Sequence, residues 1–476
     1  AHEQKGNRRE WQDRYFYGVC DHFLPDGRDR MHFYTAAYRA GRFISLTIET
    51  AGEELLLDDL QLNESRYPVS FDDSFESNDR GLNELARLSR RTLEMCSHDS
   101  FMDCPYFEQL MYLGDTRIQA LLTLQVSRDA RLVEKALRMF AASLLPSGFF
   151  QSRYPSRVTQ DIPTISPFFD GMLEDYARYR GGPLVKELLP AARRVADAFD
   201  SCVGEDGLVS IPRSWCFVDW THWYWGVPPE GEYGVSGIVN ALYVYGLASL
   251  ANLYELTGDS GLERYYRDRA AALTERMAEA FYCEKRGLFA DTRAKESFSE
   301  HAQILMLLAG TLPPEQEERC AEALFTADGL TQCTVYFAFY LFEVFHRFGR
   351  ADLLERRLEP FREMIGLGLA TLLERPEPSR SDCHAWSAHV LYHFHASMLG
   401  VRSKGYAFRE VAVAPQVVPG RKVGGSVPHP GGGVIEVEAD SISAFVSLPD
   451  GVSGEFIYPD GRKASLSPGK QHFSYR

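Results

Sequence analysis

Residues 101–117 read FMDCPYFEQLMYLGDTR, an apolar and aromatic stretch that holds three carboxylates, Asp103, Glu108 and Asp115. Pro105 suits the first turn of a helix, with Asp103 or Cys104 as the cap residue before it. On such a helix Glu108, Tyr112 and Asp115 fall at i, i+4 and i+7, so both acids and the phenol share one stripe, which Gln119 continues. Phe107, Leu110, Leu113 and Ile118 fill the remaining arc. If Asp103 were a plain cap and the other two acids faced water, the same face would normally carry Lys or Arg, and this one carries none. Buried carboxylates without a cation are costly or hold their protons at raised pKa. That is the condition in which acids transfer protons or grip polar ligands, and a polar cavity at the centre of a helical ring would accommodate it.

Four of the six tryptophans, Trp215, Trp220, Trp223 and Trp225, fall in the loop SWCFVDWTHWYWGVPP. Bounded by Pro and Gly, they suit a wall that stacks against flat apolar ring faces better than a core. Arg153 and Tyr154 in QSRYPS are candidate rim contacts. Glu374, taken alone, reads as a solvated glutamate beside Arg375, and His384 as a packing or capping residue. His301 in SEHAQ reads as structural.

These residues need elements to hold them. At 476 residues, with 45% hydrophobic and 25% charged side chains, the chain has room for two or three globular units. A net charge of −15 argues against nucleic acid as a partner. No apolar run is long enough to span a membrane. The polar opening AHEQKGNRREWQDRYF is no secretory signal, which leaves a cytoplasmic or periplasmic location. Nine scattered cysteines show no C-x-x-C pair, so neither a zinc site nor a disulfide framework is indicated, and no cofactor motif appears. Oligomeric state and any bound calcium are not legible.

Three regions differ in period. Residues 1–70 form a partial β domain or linker, with strand-like alternation such as RFISLTIET between about 30 and 70. Residues 71–400 are helical, with segments near 83–97, 105–126, 130–145, 167–181, 186–200, 234–256, 261–282, 299–309, 314–326, 332–347, 350–370 and 383–398. Residues 401–476 return to strands with PDG turns at 449–451 and 459–461, a C-terminal antiparallel β-sandwich. Twelve helices in antiparallel pairs close into an (α/α)6 toroid of six hairpins, the inner ones apolar almost all round, as MYLGDTRIQALLTLQV is. Long loops at 146–166, 201–233, 283–298 and 371–382 should gather at one rim.

The motif DCPYFEQLMYLGDTR resembles the signature of glycoside hydrolase family 78, the inverting α-L-rhamnosidases. SGFFQSRYPS, FVDWTHWYWGVPP, GLFADT with FSEHAQ, LATLLERPEPSRSDCHAW and the C-terminal VAVAPQV, GGVIEVEA and LPDG resemble stretches of that family in the same order. The resemblance implies an (α/α)6 catalytic barrel that cleaves terminal α-L-rhamnosyl residues from small-molecule or polysaccharide glycosides. It implies Glu108 as general acid, its pKa raised by apolar neighbours and Asp115, and Glu374 as the base that holds water on the opposite face of the sugar. Asp103, Asp115, Tyr112 and Asp219 would hold hydroxyls or steady charge, and Trp220 and Trp223 would stack against a 6-deoxy sugar whose methyl suits an aromatic wall. Arg153, His384 and Trp386 complete the implied substrate-binding set, with no metal. Phe107 stands where many rhamnosidases carry Arg, and Leu373 where many carry an aromatic. One alternative is a same-fold glycosidase acting on an unsaturated uronide, which would want Arg or Lys by the pocket; the tryptophan loop offers none. Another is a catalytically inactive carbohydrate-binding protein.

Overall fold

A computed structural model describes residues 4–15, 18–35, 37–211 and 214–475. Its helices are α1 (Arg80–Met95), α2 (Leu113–Val126), α3 (Arg131–Ala142), α4 (Pro167–Tyr179), α5 (Pro183–Asp200), α6 (Gly237–Thr257), α7 (Ser260–Phe281), α8 (Glu300–Ala309), α9 (Pro314–Thr326), α10 (Ala338–Arg347), α11 (Ala351–Arg357), α12 (Glu359–Gly366) and α13 (His389–His393). Strand β1 is Ser74–Ser77, and β2 (Tyr282–Cys283) pairs with β3 (Leu288–Phe289). The C-terminal strands are β4 (Val401–Lys404), β5 (Glu410–Val413), β6 (Lys422–Pro428), β7 (Val434–Asp440), β8 (Ser443–Leu448), β9 (Ser453–Ile457), β10 (Lys463–Leu466) and β11 (Gly469–Ser474).

Side-chain pattern sorts the helices into two rings. Every residue of α2 is buried, and α6 is buried without a break from Gly237 to Ala251. By contrast α7 buries one stripe, Tyr266, Ala270, Leu273, Met277 and Phe281, at the spacing of a surface helix. The inner helices touch in the order α2, α4, α6, α8, α10, α13 and back to α2, a closed ring. Outside it α3, α5, α7, α9 and α11 lean on α2, α4, α6, α8 and α10, and α1 leans on α13. Outer and inner helices alternate along the chain, so the inner helices all run the same way and present their N-termini at one mouth.

The expected helix at 350–370 is two helices, because Pro360 sits in the first turn of α12 and lacks the donor that would continue α11. The segment expected at 383–398 is a composite rod of a tight turn (Ala385–Ala388), α13 and a wide turn (Phe394–Met398). The C-terminal strands form two facing sheets, ordered β1-β6-β7-β8-β11 and β10-β9-β5-β4. Alternation along β7 buries Ile435, Val437 and Ala439 and exposes Glu436 and Glu438. The PDG turns sit where expected, with Gly451 at φ 77° and Gly461 at φ 84°, a conformation that suits glycine. Strand β1 precedes the barrel in sequence but pairs with β6, which stitches the sandwich to the start of α1.

No strand forms among residues 30–35 and 37–70. Ile44, Leu46 and Ile48 remain more than half exposed, at 61%, 55% and 55%. Alternation makes a strand only when a neighbouring strand completes the ladder and an apolar face is covered. Upstream of this segment, two residues grip the barrel: Arg8 donates its backbone N–H to Leu367 O at 2.8 Å, and Lys5 Nζ reaches Asp382 Oδ1 at 2.8 Å.

Candidate active site

The expected helix over 105–126 begins at Leu113, and residues 103–112 form a loop instead. Asp103 N–H donates to Leu110 O at 2.8 Å, and Leu110 N–H donates back to Asp103 Oδ1 at 3.0 Å. Gln109 at φ 55° turns its N–H to Cys104 O, at 3.1 Å. Leu113 N–H pairs sideways with Ser152 O at 2.9 Å, and Tyr154 N–H with Met111 O at 3.1 Å. A carboxylate and a neighbouring loop thus take the backbone partners that a helix would have used. The single-stripe arrangement of Glu108, Tyr112 and Asp115 does not exist, yet the loop delivers the same side chains to the mouth of the barrel.

At that mouth Glu108 and Glu374 face each other across Arg380. One guanidinium nitrogen of Arg380 touches Glu108 Oε1 and also lies 3.5 Å from Glu374 Oε1. Arg380 Nε is 3.5 Å from Glu374 Oε2. Arg153 Nη1 donates to the Tyr112 phenol oxygen at 2.9 Å and lies 4.0 Å from Glu108 Oε2. Glu374 is buried in the loop between α12 and the composite rod; Trp386 Nε1 donates to its backbone O at 2.8 Å. His384 Nε2 lies 3.2 Å from Asp115 Oδ1, and the His384 ring rests 4.3 Å from that of Trp386, centre to centre. Asp115 occupies the first turn of α2, where the partial positive charge of the helix N-terminus favours an anion.

These contacts sort the acids. Burial pushes Glu108 up, but the Tyr112 phenol and Arg380 outweigh it and hold the carboxyl below the usual glutamate value. The expectation of a raised Glu108 is therefore corrected; Arg380, 272 positions along the chain, supplies the cation that the stripe lacks. Burial does raise Asp103, to about 6, with the His384 charge opposing and Asp115 and Glu108 adding to the rise. Burial also raises Asp115 against the pull of His384. Burial disfavours the His384 imidazolium, but the hydrogen bonds to Asp115 and Cys104 carry its pKa well above the usual histidine value. Asp103, Cys104 and His384 bring donor atoms within 4.8 Å of one another. The Cys104 thiol donates to Asp103 Oδ2 at 2.9 Å, and burial pushes it up, away from the thiolate a metal requires.

The tryptophan loop divides. Trp220 and Trp223 are half-buried and face inward: Arg375 lies 5.6 Å over the Trp220 ring, and the Trp223 ring is 4.8 Å from that of His301. Trp225, at φ 52°, is 59% exposed. Asp219 is fully buried and both its oxygens are taken. His301 Nε2 lies 2.9 Å from Oδ2, Thr334 N–H donates to Oδ2 at 2.8 Å, and Thr334 Oγ1 and Trp220 N–H donate to Oδ1 at 2.5 and 2.8 Å. Asp219 is therefore an anchor that ties the loop to α8 and to the start of α10, rather than a free acceptor for ring hydroxyls.

With this geometry in hand, comparison with known proteins is decisive about kinship. The model for the bacterial alpha-L-rhamnosidase six-hairpin glycosidase domain matches residues 72–398. The chain belongs to that family. Solved structures similar to it include the family 78 rhamnosidase of Bacillus sp. GL1, 23% identical over 83% of this chain and 44% of that one, with a TM-score of 0.74. The rhamnosidase of Klebsiella oxytoca with rhamnose bound is 22% identical over 66% of this chain and 64% of that one, with a TM-score of 0.59. The α-L-rhamnosidase of Streptomyces avermitilis complexed with L-rhamnose is 16% identical over 86% of this chain and 43% of that one, with a TM-score of 0.73. This rhamnosidase-family chain thus spans about half the length of most of these proteins. No curated protein matches its sequence.

Within the family domain the structure gathers Asp103, Glu108, Tyr112, Asp115, Arg153, Glu374, His384 and Trp386 at one mouth, with Trp220 joined to them through Arg375. Sequence reading missed Arg380 and Arg375 as site residues. Both lie in the quoted ERPEPSRSDCHAW, Arg375 directly after Glu374 and Arg380 after the PEPS run, so their nearness to Glu374 was legible. The tryptophan loop supplies no basic group, as read from the sequence, but Arg153, Arg375 and Arg380 arrive at the pocket from other loops.

Proposed function

We propose that this chain is a glycoside hydrolase that removes α-L-rhamnosyl groups with inversion, Glu108 acting as general acid and Glu374 as general base. The observation that carries the reading is the placement of these two glutamates, on separate loops, on either side of a single guanidinium. Inversion needs two carboxyl groups about 6.5–9.5 Å apart, so that a water fits beside the sugar; the shared Arg380 nitrogen holds their nearest oxygens closer than this at rest, so the reading requires them to part when a glycoside enters. The family assignment, the rhamnose in the relative from Klebsiella oxytoca and the L-rhamnose in that from Streptomyces avermitilis support the choice of sugar.

In this reading Arg380 holds the space at rest and withdraws when a glycoside enters. Loss of that cation lets burial raise Glu108, so it protonates and can pass its proton to the leaving glycosidic oxygen. Glu374 takes a proton from water as the water attacks the anomeric carbon from the opposite face. Glu108 ends ionised, Glu374 ends protonated, and exchange with solvent resets both. The paired Asp115 and His384 and the protonatable Asp103 hold hydroxyls, while Trp220 and Trp223 cover the apolar face of the sugar.

Turnover of p-nitrophenyl α-L-rhamnoside, with NMR of the first-formed sugar, tests this. The expected product is the β anomer, and the α anomer would overturn the mechanism. Arg153, Arg375 and Arg380 around the acids favour a second reading, an anionic sugar such as an unsaturated uronide. Hydrolysis of an unsaturated glucuronyl disaccharide without any rhamnoside turnover would establish that reading instead.

A further inference from the structure

Two cysteines that the proposed mechanism does not use meet beside the mouth. Cys96 closes the C-terminal end of α1, its N–H donating to Thr92 O at 3.1 Å. Cys383 stands between Asp382 and His384, at the end of the loop that carries Glu374 and Arg380. Their sulfurs lie 3.8 Å apart, although 287 positions separate the residues. Both are free thiols, and among the described residues no other two cysteines are in such contact. Met102 and Ala385 complete a small apolar cluster around them. Cys96 is fully buried, whereas Cys383 is partly exposed. Burial pushes the Cys96 thiol well above its usual value, so it keeps its proton until it reacts. The nearby Cys104 thiol is taken up by Asp103 Oδ2, at 2.9 Å. The pair also borders the site: the Cys96 thiol donates to Asp103 O at 3.7 Å, the same oxygen that accepts Ala385 N–H at 2.8 Å. Glu374 and Arg380 ride on a loop whose base is closed by His384 N–H donating to Leu372 O at 2.9 Å, and Leu372 N–H donates in turn to Thr92 Oγ1 of α1 at 2.9 Å.

We propose that Cys96 and Cys383 form a redox modification site, at which a peroxide joins them in a reversible disulfide that pins the Glu374–Arg380 loop to α1 and slows turnover. Peroxide meets Cys383 first, because that thiol is the exposed one. The Cys383 thiolate attacks one peroxide oxygen and the O–O bond breaks. Cys383 becomes a sulfenic acid, and hydroxide leaves and takes up the proton that the thiol gave to solvent. The Cys96 sulfur then attacks the Cys383 sulfur, the S–O bond breaks, and the departing hydroxide takes the Cys96 proton and leaves as water. One peroxide is reduced to two waters while two thiols are oxidised to one disulfide, and a dithiol reduces it back. Sulfurs already in contact need only close to the about 2 Å of the bond. The new link lies three residues after Arg380 and directly before His384, whose ring is 3.2 Å from Asp115. The effect on turnover rests on the reading that Arg380 withdraws when a glycoside enters; formation of the bond does not.

The full chain, reduced and then treated with hydrogen peroxide, tests this by peptide mass spectrometry, hydrogen exchange and rhamnoside turnover. The expected result is a linked Cys96–Cys383 peptide and slower amide exchange over 375–382. Turnover, as kcat/KM, should fall about 10–100-fold, the range that a small misplacement of catalytic groups costs. Dithiothreitol should reverse all three. Cys383→Ser should keep its reduced-state activity through the peroxide treatment. In Cys96→Ala, which lacks the resolving thiol, dimedone should trap a sulfenic acid on Cys383. Linked peptides from other cysteines, Cys383 carried on to sulfinic acid with Cys96 still free, or a linked pair whose exchange and turnover match the reduced chain would overturn the proposal. A reduced chain without rhamnoside turnover would overturn the function proposed above, and the linked peptide and the exchange over 375–382 would still decide this one.

Discussion

The two ends of the barrel handle charge in opposite ways. At the far end Glu174, Asp175 and Glu343 each have an arginine of their own. At the N-terminal mouth Glu108 and Glu374 share Arg380, Asp115 has a histidine, and Asp103 is held by a thiol and a backbone N–H. The Arg402 fork outweighs burial and holds Glu343 below the usual glutamate value, so that pair serves the fold, whereas burial raises Asp175 to about 6 against the pull of Arg117. Shared and uncharged partners leave protonation dependent on what occupies the site, as an acid–base reaction requires. The same ring of helices therefore supports a rigid end and a responsive one.

If that contrast is correct, mutations at the two ends should separate activity from stability. Glu374→Gln and Glu108→Gln should each lower kcat about 10²–10⁴-fold, the usual worth of a positioned acid or base. The unfolding midpoint should hold, because the amide oxygen still accepts from Arg380. Rhamnoside assays beside thermal melts check both, and near-full activity in either variant would remove that residue from its role. At the far end Glu343→Gln should do the reverse. Arg402 donates to both Glu343 oxygens, at 2.8 and 2.9 Å, and weakening that fork should lower stability by about 2 kcal/mol with turnover per folded molecule retained. Equal losses of stability at both ends would break the comparison.

The mouth can also be probed by pH. The Tyr112 phenol and Arg380 together hold Glu108 below its usual range, so the acid form needed for catalysis is lost early as pH rises. Arg380→Met removes the cation and lifts the Glu108 pKa. The basic limb of kcat/KM against pH, which reports the free enzyme, should move upward. A limb that stays in place would mean that Arg380 does not set the acid.

Much of this was legible in the sequence. The 3.6-residue period of the outer helices and the all-round apolarity of α2 and α6 gave the toroid, because both patterns follow directly from which faces are buried. The acids, Tyr112, Glu374 and His384 were legible as candidates from residue type and motif. Their geometry was not. Apolar spacing from Pro105 to Val126 looks continuous, but Asp103 and the 152–154 segment capture the backbone groups of 109–113, and such competition between distant partners leaves no period to read. Arg380 was hidden for a related reason: its meeting with Glu108 depends on how the ring closes. The 30–70 alternation misled because a strand also needs a neighbour, which pattern alone does not supply.

The smallest expected effect concerns how Arg380 is held. Its loop is tethered from behind: Lys5 Nζ donates to Arg380 O at 2.8 Å and to Asp382 Oδ1 at 2.8 Å, and Arg8 Nε and Nη2 donate to Asp382 at 3.0 Å. Lys5 and Asp382 are about a third exposed, so the tether is worth less than about 1 kcal/mol. Asp382→Asn should therefore shift kcat/KM by no more than about threefold and leave the melting point nearly still. Its value lies in the double mutant. If the tether acts on catalysis through Arg380, adding Asp382→Asn to Arg380→Met should change kcat/KM no further, because the group being steadied is gone. Additive effects would mean that the tether serves Glu374 or the loop as a whole, and the gap between the two glutamates would then be set without Arg380.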